Sequence, residues 1–355
     1  MSVQAERLRD RLEGAGVRVL WIPTNPVFRS RLSFLQSIPG IRTVVNEGAY
    51  CFALYRGVRK TEIIHHLAAS GWSFFLLSVP VLAVGRLRNI RILLNYRGGN
   101  AKQFLQAWSW FAVPLMRLAD RIAVPSPFLQ RVFLEYGLGT VLLPNIGETE
   151  IFRYRERATF QPRIIVTRRL ERMYGLDCIL RAFALVLERF PLASLSIVGA
   201  GSEEGSLRRL SAGLKLTNVR FYGEVKPSQL PAIYDEHDIF VNASRIDNFP
   251  GALFEAASCG LPIVTTRAGG IVDMLQPGIN ALMVEVDDFE RLGKGVLQLI
   301  DNPDQARQMA RKARAWAEEF AWPNVVSKLI ECYDSCLSSR DNGDGHVRDC
   351  GNLEL

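Results

Sequence analysis

The feature that most constrains this chain is a regular beat in its second half, where short apolar runs alternate with helix-length amphipathic segments. The apolar runs are Ile164–Thr167, Ser194–Val198, Val219–Tyr222, Ile239–Asn242, Pro262–Thr265 and Ala281–Val284. Between them lie helical patterns at Asp177–Phe190, Glu203–Leu214, Pro227–Asp235, Gly251–Cys259 and Gly270–Leu275. Strands alternating with helices at this spacing predict a doubly wound parallel sheet, covered by helices on both faces. A looser version precedes it, with a charged helix at Ser2–Gly14 and strands at Val17–Ile22, Ile63–Leu67, Ile90–Asn95 and Arg121–Val124. A polar stretch, Glu148–Gln161, separates the two halves and predicts a domain boundary. The length of 355 residues suits two domains of this type.

The chain is 48% apolar and 22% charged, which excludes global disorder. Its six cysteines have no regular spacing and predict no disulfide framework, in keeping with a reducing cytoplasm. The net charge of +7 is lopsided: residues 1–150 hold 18 Lys and Arg against 9 Asp and Glu. Such an excess favours an anionic partner for the first half, either a phosphorylated substrate or a membrane surface. No basic run interleaved with aromatics and no zinc-knuckle pattern supports a nucleic acid. The first twelve residues are too charged for a signal peptide. Leu67–Gly85 is uncharged but contains Gly71, Ser73, Ser78 and Pro80, so a buried or surface-lying helix is expected rather than a membrane span. Phe104, Trp108, Trp110 and Phe111 lie between Lys102 and Arg117, a mixture suited either to a bilayer interface or to a core-facing helix.

Open parallel sheets bind ligands at the carboxyl ends of their strands, so the loops there are the places to look for chemistry. After Ser194–Val198 come Gly199, Ala200 and Gly201, where missing side chains would let a ligand approach the backbone. After Arg163–Thr167 come Arg168 and Arg169, able to fork onto phosphate oxygens. The richest stretch runs from Asp238 to Gly270. Its strand leads to a polar loop, the loop opens a helix near Gly251, and two carboxylates, Asp247 and Glu255, stand eight positions apart. Backbone N–H groups at that helix N-terminus suit a phosphate or a sugar hydroxyl. Glu255 sits among Leu253, Phe254, Ala256 and Ala257 and needs a polar partner, which a ribose diol would supply.

The Asp247–Gly270 stretch, with Glu255, Cys259-Gly260, Pro262-Ile263-Val264 and Gly269-Gly270, resembles the donor-binding signature of retaining GT-B glycosyltransferases of family four. Asp247 takes the place of the signature's first Glu. The resemblance implies two Rossmann-like domains with parallel sheets facing across a cleft, spanning 1–147 and 148–322. A helix at 323–337 would cross back to the first domain, and a disordered tail would follow at 338–355. It implies transfer of a sugar from a nucleotide-diphosphate donor to a glycan, lipid-linked or small-molecule acceptor, with retention and without a metal or other cofactor. Catalytic roles would fall to Asp247, Glu255 and Arg169, with Glu255 on the ribose. Donor contacts would come from Arg168, Gly199, Gly201, Glu224, Val225, Asn248, Phe249, Gly251, Ala252 and Leu253.

On the acceptor side the resemblance points to His65, Ser70, Trp72 and Arg97. Arg97 stands where many members carry His, and Tyr174 where the family carries a phosphate-binding Lys. The family's opening strand and Gly-Gly loop have no counterpart, since the chain starts at Met1 already in a helical pattern; a truncated form or a sheet lacking that strand is expected. Localisation would be cytoplasmic, with peripheral contact to the inner membrane face. Two alternatives stay open: a non-catalytic relative, given the changes at Tyr174 and Arg97, and a nicotinamide-dependent oxidoreductase, against which Glu204 replaces the third fingerprint glycine.

Overall fold

The computed structural model describes residues 3–24 and 41–338. They divide into two compact units, one holding the residues up to Ile146 and those from Val325, the other Gly147–Asn324.

In the first unit α1 (Val3–Gly14) and α2 (Ile41–Gly57) precede β1 (Ile63–Ala68), α3 (Trp72–Arg88), β2 (Arg91–Tyr96), α4 (Ala101–Met116), β3 (Arg121–Val124), α5 (Pro127–Leu134) and β4 (Val141–Leu142). The four strands pair in parallel in the order β1-β2-β3-β4. Every residue of β2 is buried, as a parallel strand with two neighbours requires. Chain breaks are local: Ser126 caps α5 by accepting from Leu129 N–H, with Pro127 next to it in the first turn, where a missing N–H costs nothing. The expected strand Val17–Ile22 does not form. The segment joins no ladder of the described sheet; Val17 and Leu20 are exposed, while Ile22 packs on the cluster of Tyr50, Leu54 and Leu82. The uncharged stretch Leu67–Gly85 is shared between the end of β1 and α3, whose Phe74, Ser78, Val81 and Leu82 are buried.

The second unit follows the predicted beat: β5 (Arg163–Thr167), α6 (Leu176–Arg189), β6 (Ser194–Val198), α7 (Glu204–Gly213), β7 (Val219–Gly223), α8 (Leu230–Asp235), β8 (Ile239–Asn242), α9 (Gly251–Ser258), β9 (Ile263–Thr266), α10 (Ile271–Met274), β10 (Leu282–Val284), α11 (Phe289–Asp301) and α12 (Pro303–Glu318). Its six-stranded parallel sheet has the order β10-β9-β8-β5-β6-β7. Alternate residues of β5 serve opposite cores. Ile164 and Val166 join Leu195, Val241 and α6 on one face, and Ile165 joins Phe240, Ile263 and α9 on the other. The chain builds outward from β5 to β7, then returns to lay β8 on the other side of β5. This reversal creates a crevice at the carboxyl ends of β5 and β8, the place where open α/β sheets take their ligands.

The final helical stretch is not continuous: α12 ends at Glu318 and α13 (Trp322–Ser338) restarts after a short break, burying Val325, Leu329, Cys332 and Cys336. Cys51, Cys178, Cys259, Cys332 and Cys336 form no disulfide. The expected tail and Cys350 lie outside the described residues.

Candidate functional site

The crevice at the chain reversal collects the polar groups of the second unit. Arg168, the first residue after β5, places Nη2 3.1 Å from Asp247 Oδ2, with the two side chains only 10% and 14% exposed. Its Nε donates to Asn242 Oδ1 at 3.0 Å, and Asn242 Nδ2 in turn donates to Thr265 Oγ1 at 2.9 Å. Ser244 Oγ also donates to Asn242 Oδ1, at 3.0 Å. A buried polar ladder thus runs across the ends of β5, β8 and β9 and fixes the guanidinium. Tyr174 completes the mount, since the Arg168 guanidinium lies 5.3 Å from the centre of its ring. The residue found where the resembling family carries Lys is therefore a platform for the neighbouring arginine.

Asp247 accepts from Phe249 N–H at 3.3 Å. Burial pushes its carboxyl above the usual aspartate range, against the opposing pull of Arg168. The loop is held from behind by the glycine pair at the end of β9. Gly270 N–H donates to Asp247 O at 2.8 Å, and a Cβ on Gly269 or Gly270 would come within 2.3 Å of Asp247 O or 2.1 Å of Asn248 O. Side chains are excluded there because the loop occupies their space.

Asn248, Phe249, Ala252 and Leu253 are buried, and Phe249 packs on Phe254 and Phe320, so this segment can offer a ligand its backbone rather than its side chains. Pro250 precedes α9 without a side-chain cap, and Gly251 has open space around its α-carbon. Glu255 is half-buried one turn into α9. Its Oε2 accepts from Tyr234 Oη at 3.0 Å, and Tyr234, fully buried, also bonds Thr167 Oγ1 at the end of β5. The acid whose sequence surroundings demanded a partner has one inside the protein. Burial and the adjacent Glu255 charge hold the Tyr234 phenol far above its ordinary range, so it stays a donor.

Packing bears on two groups of the expected residues. At Gly199 and Gly201 the missing side chains admit the chain after β5: a Cβ on them would lie 1.9 Å from Arg168 O and 2.4 Å from Leu170 O. Leu170 N–H donates to Ala200 O at 3.1 Å and Glu203 N–H to Leu170 O at 2.8 Å, stitching the two loops together. The two arginines also part company. Arg169 is 76% exposed beside Glu171, and only Arg168 enters the buried ladder. Glu224 is exposed and Val225 packs on the α9 side of the core. Tyr234, Asn242 and Thr265 were missed by sequence reading. The available signal was position: Asn242 and Thr265 end or nearly end apolar strands, and Tyr234 follows Ile233 on an inward helix face.

In the first unit His65, in the middle of β1, forms a second cluster with Asn95 and Arg97 at the end of β2. Arg97 Nε donates to Asn95 Oδ1 at 3.3 Å, so Asn95 Nδ2 is the donor to His65 Nε2 at 3.0 Å, and His65 Nδ1–H is left to donate to Tyr333 Oη at 2.9 Å. Burial first, then the Arg97 charge, pushes the His65 pKa down to about 3. This imidazole is a neutral base with a fixed tautomer. Burial also lowers the Arg97 pKa to about 10, and its Nη1 donates to Asn145 Oδ1. Ser70 Oγ bonds Tyr96 Oη at 2.8 Å. Trp72 does not join them; it is 71% exposed and touches Phe75 and Trp108. Among the described residues no three of His, Cys, Asp and Glu are grouped to hold a metal.

Residues 148–316 match the family model for glycosyl transferases group 1. The chain is 30% identical to a D-inositol 3-phosphate glycosyltransferase of Corynebacterium urealyticum over 49% of its own length and 43% of that protein. It is 25% identical to the GDP-mannose-dependent alpha-(1-6)-phosphatidylinositol monomannoside mannosyltransferase of Mycolicibacterium smegmatis, over 92% of the chain and 86% of the relative. The match thus spans less than half of the first of these relatives and most of the second. Among solved structures, Anabaena Alr3699/HepE in complex with UDP and glucose superposes with a TM-score of 0.71 at 18% identity, covering 93% of this chain and 89% of that one. Sucrose-phosphate synthase of Thermosynechococcus elongatus gives 0.68 at 20% identity, covering 90% and 83%. These likenesses carry the fold, two parallel α/β units of the GT-B kind.

Proposed function

From the match of residues 148–316 to the group 1 glycosyl transferases, we propose that the chain is a member of that group, an enzyme that transfers a sugar from a nucleotide-diphosphate donor, of the GDP or UDP class, to a hydroxyl of a glycan or lipid-linked acceptor. The observation that carries this reading is the placement of Arg168, Asp247 and the start of α9 together at the crevice between β5 and β8, with Glu255 one turn further on. A diphosphate would take its charge compensation from Arg168, from the exposed Arg169 and from the α9 N-terminus, with no metal needed in that role. Glu255, already holding the Tyr234 hydroxyl with Oε2, would accept from the ribose diol. Asp247 and the backbone from Asn248 to Leu253 would hold the sugar hydroxyls.

The reaction breaks the bond between the anomeric carbon and the diphosphate oxygen, and the acceptor oxygen takes its place on the same face, giving retention. The acceptor proton passes to a phosphate oxygen of the leaving group. His65, Ser70, Trp72 and Arg97 are assigned to the acceptor, with no cofactor. The expected setting is the cytoplasm and the inner face of its membrane; among the described residues no helix is long and apolar enough to cross a bilayer.

Thermal-shift titration of the full chain with UDP, GDP, their sugars and NAD tests this reading. A ligand at a hundred times its dissociation constant stabilises by about 2.7 kcal/mol, which is readily seen. Stabilisation by a nucleoside diphosphate and by its sugar, followed by sugar transfer to lipid or glycan acceptors, is expected. Stabilisation by NAD alone would overturn it.

A further inference from the structure

The outer face of α3 and α4 carries a feature that donor binding does not use. Trp72 is 71% exposed, Trp110 75%, Phe111 47%, Leu76 42% and Leu87 82%. The rings form one connected cluster: Trp72 lies 5.6 Å from Trp108, which lies 5.6 Å from Phe75, which lies 5.5 Å from Phe111, itself 5.5 Å from Trp110. Large apolar groups gathered on a surface mark a binding face. The charge around them is one-sided, because Ile63–Ala119 contains six Lys and Arg and no Asp or Glu. Of these cations Arg86, Lys102 and Arg117 are exposed, and Arg117 follows Trp110 by seven positions, two turns along the same face of the α4 helical register.

We propose that this aromatic and cationic face of the first unit docks on an anionic lipid bilayer. Tryptophan suits the headgroup boundary, where its ring is buried and its N–H stays wet, and exposed Arg and Lys beside it meet lipid phosphates. A soluble protein partner of ordinary composition would bring acidic and basic groups alike, whereas 57 consecutive residues free of carboxylates match a surface of one charge sign. The proposal deepens the lipid-linked acceptor reading by naming the surface that brings the enzyme to its acceptor.

The test is flotation of the full chain with vesicles of phosphatidylcholine alone or with about 30 mol% phosphatidylglycerol, with no donor or acceptor present. Binding to anionic vesicles at least tenfold above zwitterionic ones, lost as salt rises, is expected. Each cation near an anionic surface contributes about 1 kcal/mol, or roughly fivefold. Lys102→Glu with Arg117→Glu should therefore lower binding by about 25-fold or more, and Trp110→Ser with Phe111→Ser by about tenfold. All four side chains are exposed, so unfolding temperatures should match the parent, and a charge reversal in the second unit, Arg209→Glu, should leave flotation unchanged. Equal flotation of parent and both double variants, no flotation at low salt, or self-association of the chain through this face would overturn the proposal. Because the assay reads binding without sugar transfer, an inactive chain that still floats on anionic vesicles would count against the transferase reading alone.

Discussion

Arg168 Nη2 and Asp247 Oδ2 meet at 3.1 Å across the reversal of the six-stranded sheet, each nearly out of water. The pair is a joint between two loops that the chain reaches 79 positions apart. Removing one partner strands the other in a poorly solvated place, at a cost of about 3–5 kcal/mol for a buried pair. Arg168→Leu should therefore destabilise more than Asp247→Asn, since Arg168 keeps Asn242 and Tyr174 when Asp247 is neutralised. The double variant should recover at least about 1 kcal/mol of the summed losses. Urea unfolding of the four proteins reads this coupling, and strictly additive losses would remove the pair as a structural unit.

Glu255→Gln keeps the shape of the side chain but loses its charge. The Tyr234 hydroxyl can still donate to the amide oxygen, so the fold should hold. A charge-assisted contact to a ribose hydroxyl is worth about 1.5–3 kcal/mol, or roughly 10- to 150-fold in donor affinity. Calorimetric titration with the preferred nucleoside diphosphate measures it. Unchanged affinity with unchanged stability would move the ribose away from this acid.

The strand ends and the Asp247–Glu255 spacing were legible because they are periodic or local: apolar runs set β5 to β10, and α9 begins where Pro250 and Gly251 allow. What sequence could not show is which neighbour each polar group finds. Arg168 and Arg169 are equivalent as letters, yet strand geometry sends one into the ladder and the other to solvent. Gly199 and Gly201 read as places of close backbone approach, and the sequence did not show that the carbonyls of Arg168 and Leu170, which follow the adjacent strand, press against them. Val17–Ile22 had the composition of a strand without a described partner, and composition does not supply pairing.

Gly201 tests that packing directly. Gly201→Ala would drive a Cβ into the Leu170 carbonyl at 2.4 Å, and backbone on both sides has little room to yield. A loss of about 1–3 kcal/mol is expected, the usual range for an overpacked contact. It should be accompanied by weaker donor binding, as Arg168 shifts with the loop. A stable variant with parent affinity would show that the two loops are not coupled.

Tyr174 holds the face of Arg168 through its ring, so Tyr174→Phe should retain nearly all donor affinity while Tyr174→Ala should lose about three- to tenfold, a cation–π contact of about 0.5–1 kcal/mol plus lost order. Equal losses in both variants would point to the hydroxyl instead. The comparison also bears on the family Lys at this position: Tyr174→Lys adds a cation for the diphosphate but takes away the ring, and any gain should appear in diphosphate rather than nucleoside binding.

The buried histidines set the response to acid. His65 and His66 have an ordinary pKa of 6.5, pushed down by burial to about 3 and about 4, and burial lowers that of His237 as well. The folded protein thus refuses protons that the unfolded chain takes up below pH 6.5. Stability is present above that value and is lost as pH falls, at about 2 kcal/mol for each of His65 and His66 by pH 5. Asp247 acts in the opposite sense, because burial raises its pKa and lets the folded state take a proton before the unfolded chain does. A falling unfolding free energy between pH 7 and pH 5 is therefore expected from denaturant titrations. His66 Nε2 bonds Ser78 Oγ at 2.9 Å, so His66→Asn will change absolute stability; the diagnostic quantity is the slope with pH, which should drop by the share of one group. An unchanged slope in His66→Asn, or stability that is flat from pH 7 to pH 5 in the parent, would mean that these imidazoles are reached by water and carry their protons in the folded state.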